Sequence, residues 1–231
     1  MALPHKDART PPAADQRAIQ VRHGLRAGPP HGGYVLLVLY LCAHAAAEAA
    51  VTAALDGGVE LLQLRDPSLD DDAVRRVGER WRDLAHAAGA RFVLNDRPDL
   101  AAKIGADGVH VGQDDSAPAD ARTHVDMVGQ STHAPEQGAR AAADPDVAYL
   151  SIGPVWATPT KPGRPAAGLD YVRWAAANVT GKPWFAIGGI DEKNVHEVVE
   201  AGARNVVVVR ALLGAADPAA AARTLRAALD A

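Results

Sequence analysis

Thr158, Thr160 and Lys161 set two hydroxyls and an ammonium close together in the chain, the donor set that an anionic phosphate ester needs. They lie in a proline- and glycine-rich stretch, Ser151 to Asp170, which follows the apolar run 147–152 and precedes a helix-like segment. The stretch reads as a loop at the end of a strand, and loops of that length inside compact domains are usually functional. The chain has only five lysines (Lys6, Lys103, Lys161, Lys182 and Lys193), so Lys161 in this loop points to a ligand. The competing reading is a proline-stiffened surface loop.

Other polar groups follow apolar runs in the same way. Asp96 and Asp115 are hard oxygen donors suited to share a Mg²⁺ that keeps several waters and bridges substrate phosphates. Each could instead cap a helix N-terminus, and Asp114 is the alternative metal ligand. Arg65 can grip phosphate oxygens with two parallel bonds, or pair with Asp66. Gly188-Gly189 lets backbone N–H groups approach an anion. His133 could move a proton, but Pro135-Glu136 just after it looks like a helix start. His110 lies mid-strand and reads as a core residue. No zinc spacing, P-loop, nucleophile elbow or cysteine pair is present.

Regular elements must position these groups. One unit recurs: a helix-like segment ends at Gly57, Gly89, Gly105 or Gly202 and a short β-branched run follows. Glycine just past a helix is a left-handed stop signal. Apolar runs predict strands at about 34–41, 59–64, 91–94, 108–112, 126–129, 147–152, 184–187 and 205–209. Val74, Val77, Trp81, Leu84 and Ala88 follow helical spacing between them, as do Val195, Val198, Val199 and Gly202. Continuous rather than alternating apolar runs are the mark of parallel strands covered by helices. The expected fold is therefore α/β, a single (β/α)₈ TIM barrel over residues 34–231. A doubly wound open sheet competes, but the units recur evenly and no dinucleotide fingerprint follows the first run. Residues 1–33 lack periodicity and contain Pro11-Pro12, Pro29-Pro30 and Gly32-Gly33, which reads as a disordered or loosely attached arm.

Composition narrows the partners. At 231 residues and 48% hydrophobic, the chain can bury a sizeable core, and its formal charge of −4 argues against nucleic acid or an anionic membrane. No run reaches membrane-spanning length, and nothing resembles a signal peptide. The single Cys42 excludes a disulfide framework and fits a reducing, cytoplasmic setting.

In a barrel, chemistry sits where strands end. The residues alone then suggest two phosphorylated ligands: a Mg-diphosphate near the second to fourth strands and a monophosphate near the seventh and eighth. With no activated nucleophile in view, a diphosphate held by Mg²⁺ and arginine is primed as a leaving group. Group transfer with release of diphosphate is the expected chemistry.

Five motifs, in order, resemble those of the thiamine-phosphate synthases over residues 35–230. They are Gln63-Leu64-Arg65-Asp66; Asn95-Asp96 with the run Gly105 to Asp115; Ser131-Thr132-His133; Gly153 to Lys161; and Ala186-Ile187-Gly188-Gly189-Ile190. The resemblance implies a (β/α)₈ barrel. It also implies an alkyl transferase joining 4-amino-5-hydroxymethyl-2-methylpyrimidine diphosphate to thiazole phosphate, through a pyrimidine-methyl cation that the thiazole nitrogen captures. It further implies that Gln63, Arg65 and Asn95 hold the pyrimidine diphosphate, that Ser131 contacts the pyrimidine side and that Lys161 reaches the diphosphate. Arg65, Lys161 and Ser131 would then be the catalytic groups. Asp96 and Asp115 would bind Mg²⁺. Thr158 and Thr160, with Gly188 or Gly189 and the backbone at Val209-Arg210, would hold the thiazole phosphate.

The chain departs from the family pattern in its N-terminal arm, in a first helix that looks shortened, and at three sets of residues. Pro67 stands where a lysine is usual, Arg210 where serine is common, and Cys42-Ala43-His44 where an acidic residue commonly follows the first strand. Two other readings share the barrel: a thiazole tautomerase, which Pro67 favours and the retained Asp96, Asp115 and Lys161 oppose, and a non-catalytic barrel that binds a thiazole or pyrimidine phosphate. Self-association into a homo-oligomer is left open.

Overall fold

Short apolar runs alternating with amphipathic segments leave the chain one economical arrangement: a ring of strands, filled inside and wrapped outside. The computed structural model describes residues 38–158 and 165–230. The expected N-terminal arm, and Thr160 and Lys161 of the long loop, lie outside them. The strands are β1 (Leu39–Ala43), β2 (Leu61–Leu64), β3 (Arg91–Asn95), β4 (Gly108–Val111), β5 (Val128–Thr132), β6 (Tyr149–Ile152), β7 (Trp184–Ile187) and β8 (Val206–Val208). All pair in parallel, each with its neighbours in sequence, and β8 closes on β1 with Leu39 opposite Val206. The TIM barrel expectation is borne out.

Every strand is covered on both faces. Leu39, Leu41 and Ala43 of β1 pack outward into the layer beneath the helices, whereas Tyr40 and Cys42 point inward to Leu61, Val93, Met127, Tyr149, Phe185 and Val207. That two-sided burial is why the strands read as unbroken apolar runs. Inside, Tyr40 and Tyr149 meet Phe185 edge-on at ring-centre distances of 5.5 and 5.4 Å, a favoured aromatic geometry. The Tyr149 ring occupies the space over Gly129, where an added Cβ would come within 2.1 Å of it.

The outer layer is built from α1 (Glu48–Asp56), α2 (Asp71–Ala87), α3 (Pro98–Ile104), α4 (Pro118–Arg122), α5 (Pro135–Ala143), α6 (Gly168–Asn178), α7 (Val195–Glu200), α8 (Arg210–Leu213) and α9 (Pro218–Asp230). In α2 the buried stripe is Val74, Gly78, Trp81 and Ala85, the spacing of one helix face. Asp70 caps its N-terminus by accepting from Ala73 N at 2.8 Å. Glu48 ties α1 to α2, accepting from Trp81 Nε1 at 3.0 Å and from Arg80 at 2.6 Å. Gly105 ends α3 in the left-handed conformation, φ 71°. Among the described residues no helix is long and apolar enough to cross a membrane.

Several strands are shorter or later than the sequence expectation: β2 and β6 each begin two residues later, and β8 is one residue shorter at each end. In the described chain β1 begins at Leu39 and extends to Ala43. β5 lies two to three residues later than expected, because Ser131 and Thr132 pair with Ser151 and Ile152 of β6. These polar residues read as a strand end. They remain in the strand because Thr132 Oγ1 donates to Ser151 O at 2.8 Å, while Ser131 turns inward to the cavity.

Two local devices hold the ring. Buried Asn205 accepts from Val38 N at 2.9 Å and donates to Trp184 O at 3.1 Å, linking the starts of β1, β7 and β8. Asp66, just after β2, accepts from Ala45 N at 3.1 Å and from the Ser68 hydroxyl at 2.6 Å, binding the β2 loop to the end of β1.

Gly129→Ala is expected to destabilise the fold by about 1–3 kcal/mol through overpacking against Tyr149, read as a lower urea midpoint. Asp66 supplies a pH signature. The Ser68 hydroxyl bond, aided by the Ala45 and Ser68 N–H groups and by nearby His44, holds its carboxyl below the ordinary 3.8. A depressed folded pKa adds stability above the unfolded value, and that stability is lost as pH falls through the folded one. The stability gap between wild type and Asp66→Ala should therefore be full at neutral pH and shrink below about pH 4.

Candidate active site

All eight strands send residues to one cavity at the C-terminal mouth. β1 and β2 give Tyr40, Cys42 and Gln63, with Arg65 just beyond; β3 to β5 give Asn95, His110 and Ser131, then His133. β6 contributes Ser151, followed by Gly153, Pro154 and Thr158. β7 and β8 lead into Gly188, Gly189, Val209 and Arg210. Of the residues singled out from sequence, Gln63, Arg65, Asn95, Ser131, Thr158, Gly188, Gly189, Val209 and Arg210 are thus brought together.

Arg65 is fixed by its backbone, whose N–H donates to Ala43 O at 2.8 Å. Its side chain forms no ion pair among the described residues, and its buried Nε has no hydrogen-bond partner there. The alternative pairing with Asp66 is not seen, since that carboxylate is occupied by Ala45 and Ser68. A buried guanidinium nitrogen without a partner is costly unless an anion meets it.

Across the cavity the loop after β7 is shaped for close approach. Gly188 and Gly189 have φ of 106° and 72°, a region that disfavours side chains. A Cβ on Gly188 would stand 2.5 Å from Pro154 Cβ, and one on Gly189 2.9 Å from Trp156 Cβ. Trp156 N donates to Gly188 O at 3.1 Å and Val155 N to Ile187 O at 2.8 Å, so the start of the long loop after β6 is laid against the end of β7. The Gly188 and Gly189 N–H groups have no backbone partner among the described residues, which suits an anion.

Asp96 and Asp115 stand in the loops after β3 and β4, beside the cavity rather than lining it. Asp96 has φ 59°, its N–H donates to His110 O at 2.9 Å, and its carboxylate accepts from Asn95 Nδ2. It does not cap α3, whose N-cap is Arg97. Asp115 accepts from Gly112 N at 2.7 Å. Two carboxylates held by neighbouring loops are a hard-oxygen donor set, which fits Mg²⁺ shared with phosphates. Among the described residues no group of three or more His, Cys, Asp or Glu could hold a metal alone.

His133 lines the cavity and is held by the fold: its ring Nδ1 bonds Gly153 O at 2.7 Å and its N–H donates to Gln137 at the start of α5. His110, read as a core residue, is buried and also lines the cavity, with its ring bonded to Ser131 and Tyr149. Tyr40 and Tyr149 escaped the sequence reading. Their only signal is a phenol inside an apolar run, which looks like core filling. Burial pushes both phenols well above their ordinary pKa and keeps them protonated.

The thiamine monophosphate synthase (TMP-TENI) family pattern matches residues 36–212. A thiamine-phosphate synthase of Thermus thermophilus is 61% identical over 174 residues, covering 75% of this chain and 84% of its own. One from Acidothermus cellulolyticus is 46% identical over 201 residues, covering 84% and 95%. The solved thiamine phosphate pyrophosphorylase of Pyrococcus furiosus superposes with a TM-score of 0.76 at 28% identity, covering 84% of this chain and 96% of its own. The chain belongs to the thiamine monophosphate synthase family, and its activity is that of a thiamine-phosphate synthase.

Proposed function

We propose that this mouth joins 4-amino-5-hydroxymethyl-2-methylpyrimidine diphosphate to thiazole phosphate. Gln63, Arg65 and Asn95 hold the pyrimidine diphosphate, Ser131 contacts its pyrimidine side and Lys161 reaches its diphosphate. Thr158 and Thr160, the Gly188 and Gly189 N–H groups and the backbone at Val209-Arg210 hold the thiazole phosphate. The C–O bond between the pyrimidine methylene and the diphosphate breaks, and the diphosphate departs with the electron pair. The thiazole nitrogen lone pair then forms the new C–N bond, so no enzyme nucleophile is consumed. Arg65 acts where charge develops on the leaving group, the point at which a fixed cation lowers the barrier most. Asp96 and Asp115 would hold a Mg²⁺ that adds further charge stabilisation there.

The observation that carries this reading is the pairing of two anion sites across one cavity. Arg65, which forms no ion pair among the described residues, and Gly188 and Gly189, whose N–H groups have no backbone partner there, line the same cavity. A phosphate at each end sets two substrates against one another, which is the proximity a coupling reaction needs.

Incubation with both substrates and Mg²⁺ should release one diphosphate per thiamine phosphate formed. A tautomerase would change the thiazole absorbance without releasing diphosphate, and a binding barrel would do neither. Asp115→Ala should cut turnover and flatten the Mg²⁺ response while the circular dichroism of the barrel stays unchanged; an unaltered Mg²⁺ titration would transfer the role to Asp114. Thr158→Val should weaken thiazole phosphate binding by roughly 1–3 kcal/mol, with pyrimidine diphosphate little affected. Pro67 offers neither charge nor N–H, so Pro67→Lys should raise kcat/KM for pyrimidine diphosphate.

A further inference from the structure

Gln63 and Ser131 stand on β2 and β5, yet one unbroken row of hydrogen bonds joins them through the barrel interior. Cys42 Sγ lies 3.1 Å from Gln63 Oε1, and Gln63 Nε2 donates to the Tyr40 hydroxyl. The Tyr40 and Tyr149 hydroxyls are 3.3 Å apart. Tyr149 OH is 3.1 Å from His110 Nδ1, and His110 Nε2 is 2.9 Å from Ser131 Oγ. No member is more than 8% exposed, so each proton in the row is directed first by its neighbour.

Counting protons gives the row a direction. Sulfur is a weak acceptor, so the amide oxygen of Gln63 faces the thiol, which donates to it. The amide NH₂ then donates to Tyr40, whose own proton passes to Tyr149 as a hydrogen bond. Tyr149 in turn donates to His110 Nδ1, which leaves the ring proton on Nε2, pointing at Ser131 Oγ. A doubly protonated ring would donate at both ends and strand the Tyr40 proton between two donors. Ser131 has no other side-chain partner among the described residues, so its own proton turns to the cavity.

We propose that Tyr40, Tyr149 and His110 are positioning residues that fix Ser131 as a hydrogen-bond donor and Gln63 in one amide orientation, selecting a ring whose edge presents a lone pair to Ser131. That the ring is the pyrimidine rests on the function proposed above. The reverse polarity would have Ser131 donate to His110, the arrangement of a hydroxyl–base nucleophile pair. The row forbids that arrangement, and Ser131 binds rather than attacks.

Nitrogen-15 NMR of histidine-labelled protein without substrates decides the direction, with the His110 signal identified by its loss in His110→Gln. The expected form is Nε2–H, with Nδ1 unprotonated. Tyr149→Phe removes the donor to Nδ1 and should mix the two tautomers. It should also raise the KM for pyrimidine diphosphate about tenfold while leaving the KM for thiazole phosphate unchanged. If Tyr149→Phe does not fold, Tyr40→Phe, which interrupts the same row one step earlier, carries the same expectation. A wild-type His110 in the Nδ1–H form overturns the inference, as does a folded variant that keeps both the Nε2–H form and the wild-type KM. Wild-type protein that releases no diphosphate would refute the coupling reaction instead, and the substrate-free tautomer measurement would still decide the relay.

Discussion

Closing parallel strands into a ring confines every second side chain to a space that solvent enters only from the mouth. Most of that space here is filled by apolar groups such as Leu61, Val93, Met127 and Phe185. The polar groups among them are almost wholly buried, and buried polar groups need hydrogen-bond partners. Tyr40, Gln63, His110, Tyr149 and Ser131 find them in one another. Site and core are therefore one construction, in which the floor of the pocket is made of the same residues that fill the barrel.

The outward architecture was legible in the chain because it depends on local chemistry. Apolar runs bounded by glycine stops mark covered parallel strands, and Arg65, Asn95, Gly188 and Gly189 follow those runs where a barrel carries its ligands. The interior was harder to read. Tyr40 and Tyr149 are 109 positions apart, and nothing in either local sequence announces the other. His110, flanked by valines, reads as core. That reading was half complete, since the ring is buried and also faces the cavity. Ser131 and Thr132 looked like a strand end because they are polar, but pairing with β6 keeps them in the sheet. Asp66, a plausible partner for Arg65 by adjacency, is drawn away by the Ala45 and Ser68 N–H groups.

The proposed phosphate cradle depends on absent atoms. Gly188 and Gly189 let the segment Pro154–Trp156 lie directly on the end of β7, and that contact steers the beginning of the loop toward Thr158. Any side chain at Gly188 would collide with Pro154 and push the loop off the end of β7. Geometry of the loop and its proposed capacity for an anion thus rest on the same two residues. Arg65, whose N–H is bonded to the backbone of Ala43, lines the same cavity.

Closure between β8 and β1 also bears on how the protein is made. The Asn205–Val38 bond spans 167 positions, so a chain emerging from the ribosome exposes the free edge of β1 throughout most of its synthesis. Unpaired edges of this kind are templates for association with other chains. The barrel's last strand is therefore also its protection: only when residues 206–208 arrive does the first strand lose its power to recruit a stranger.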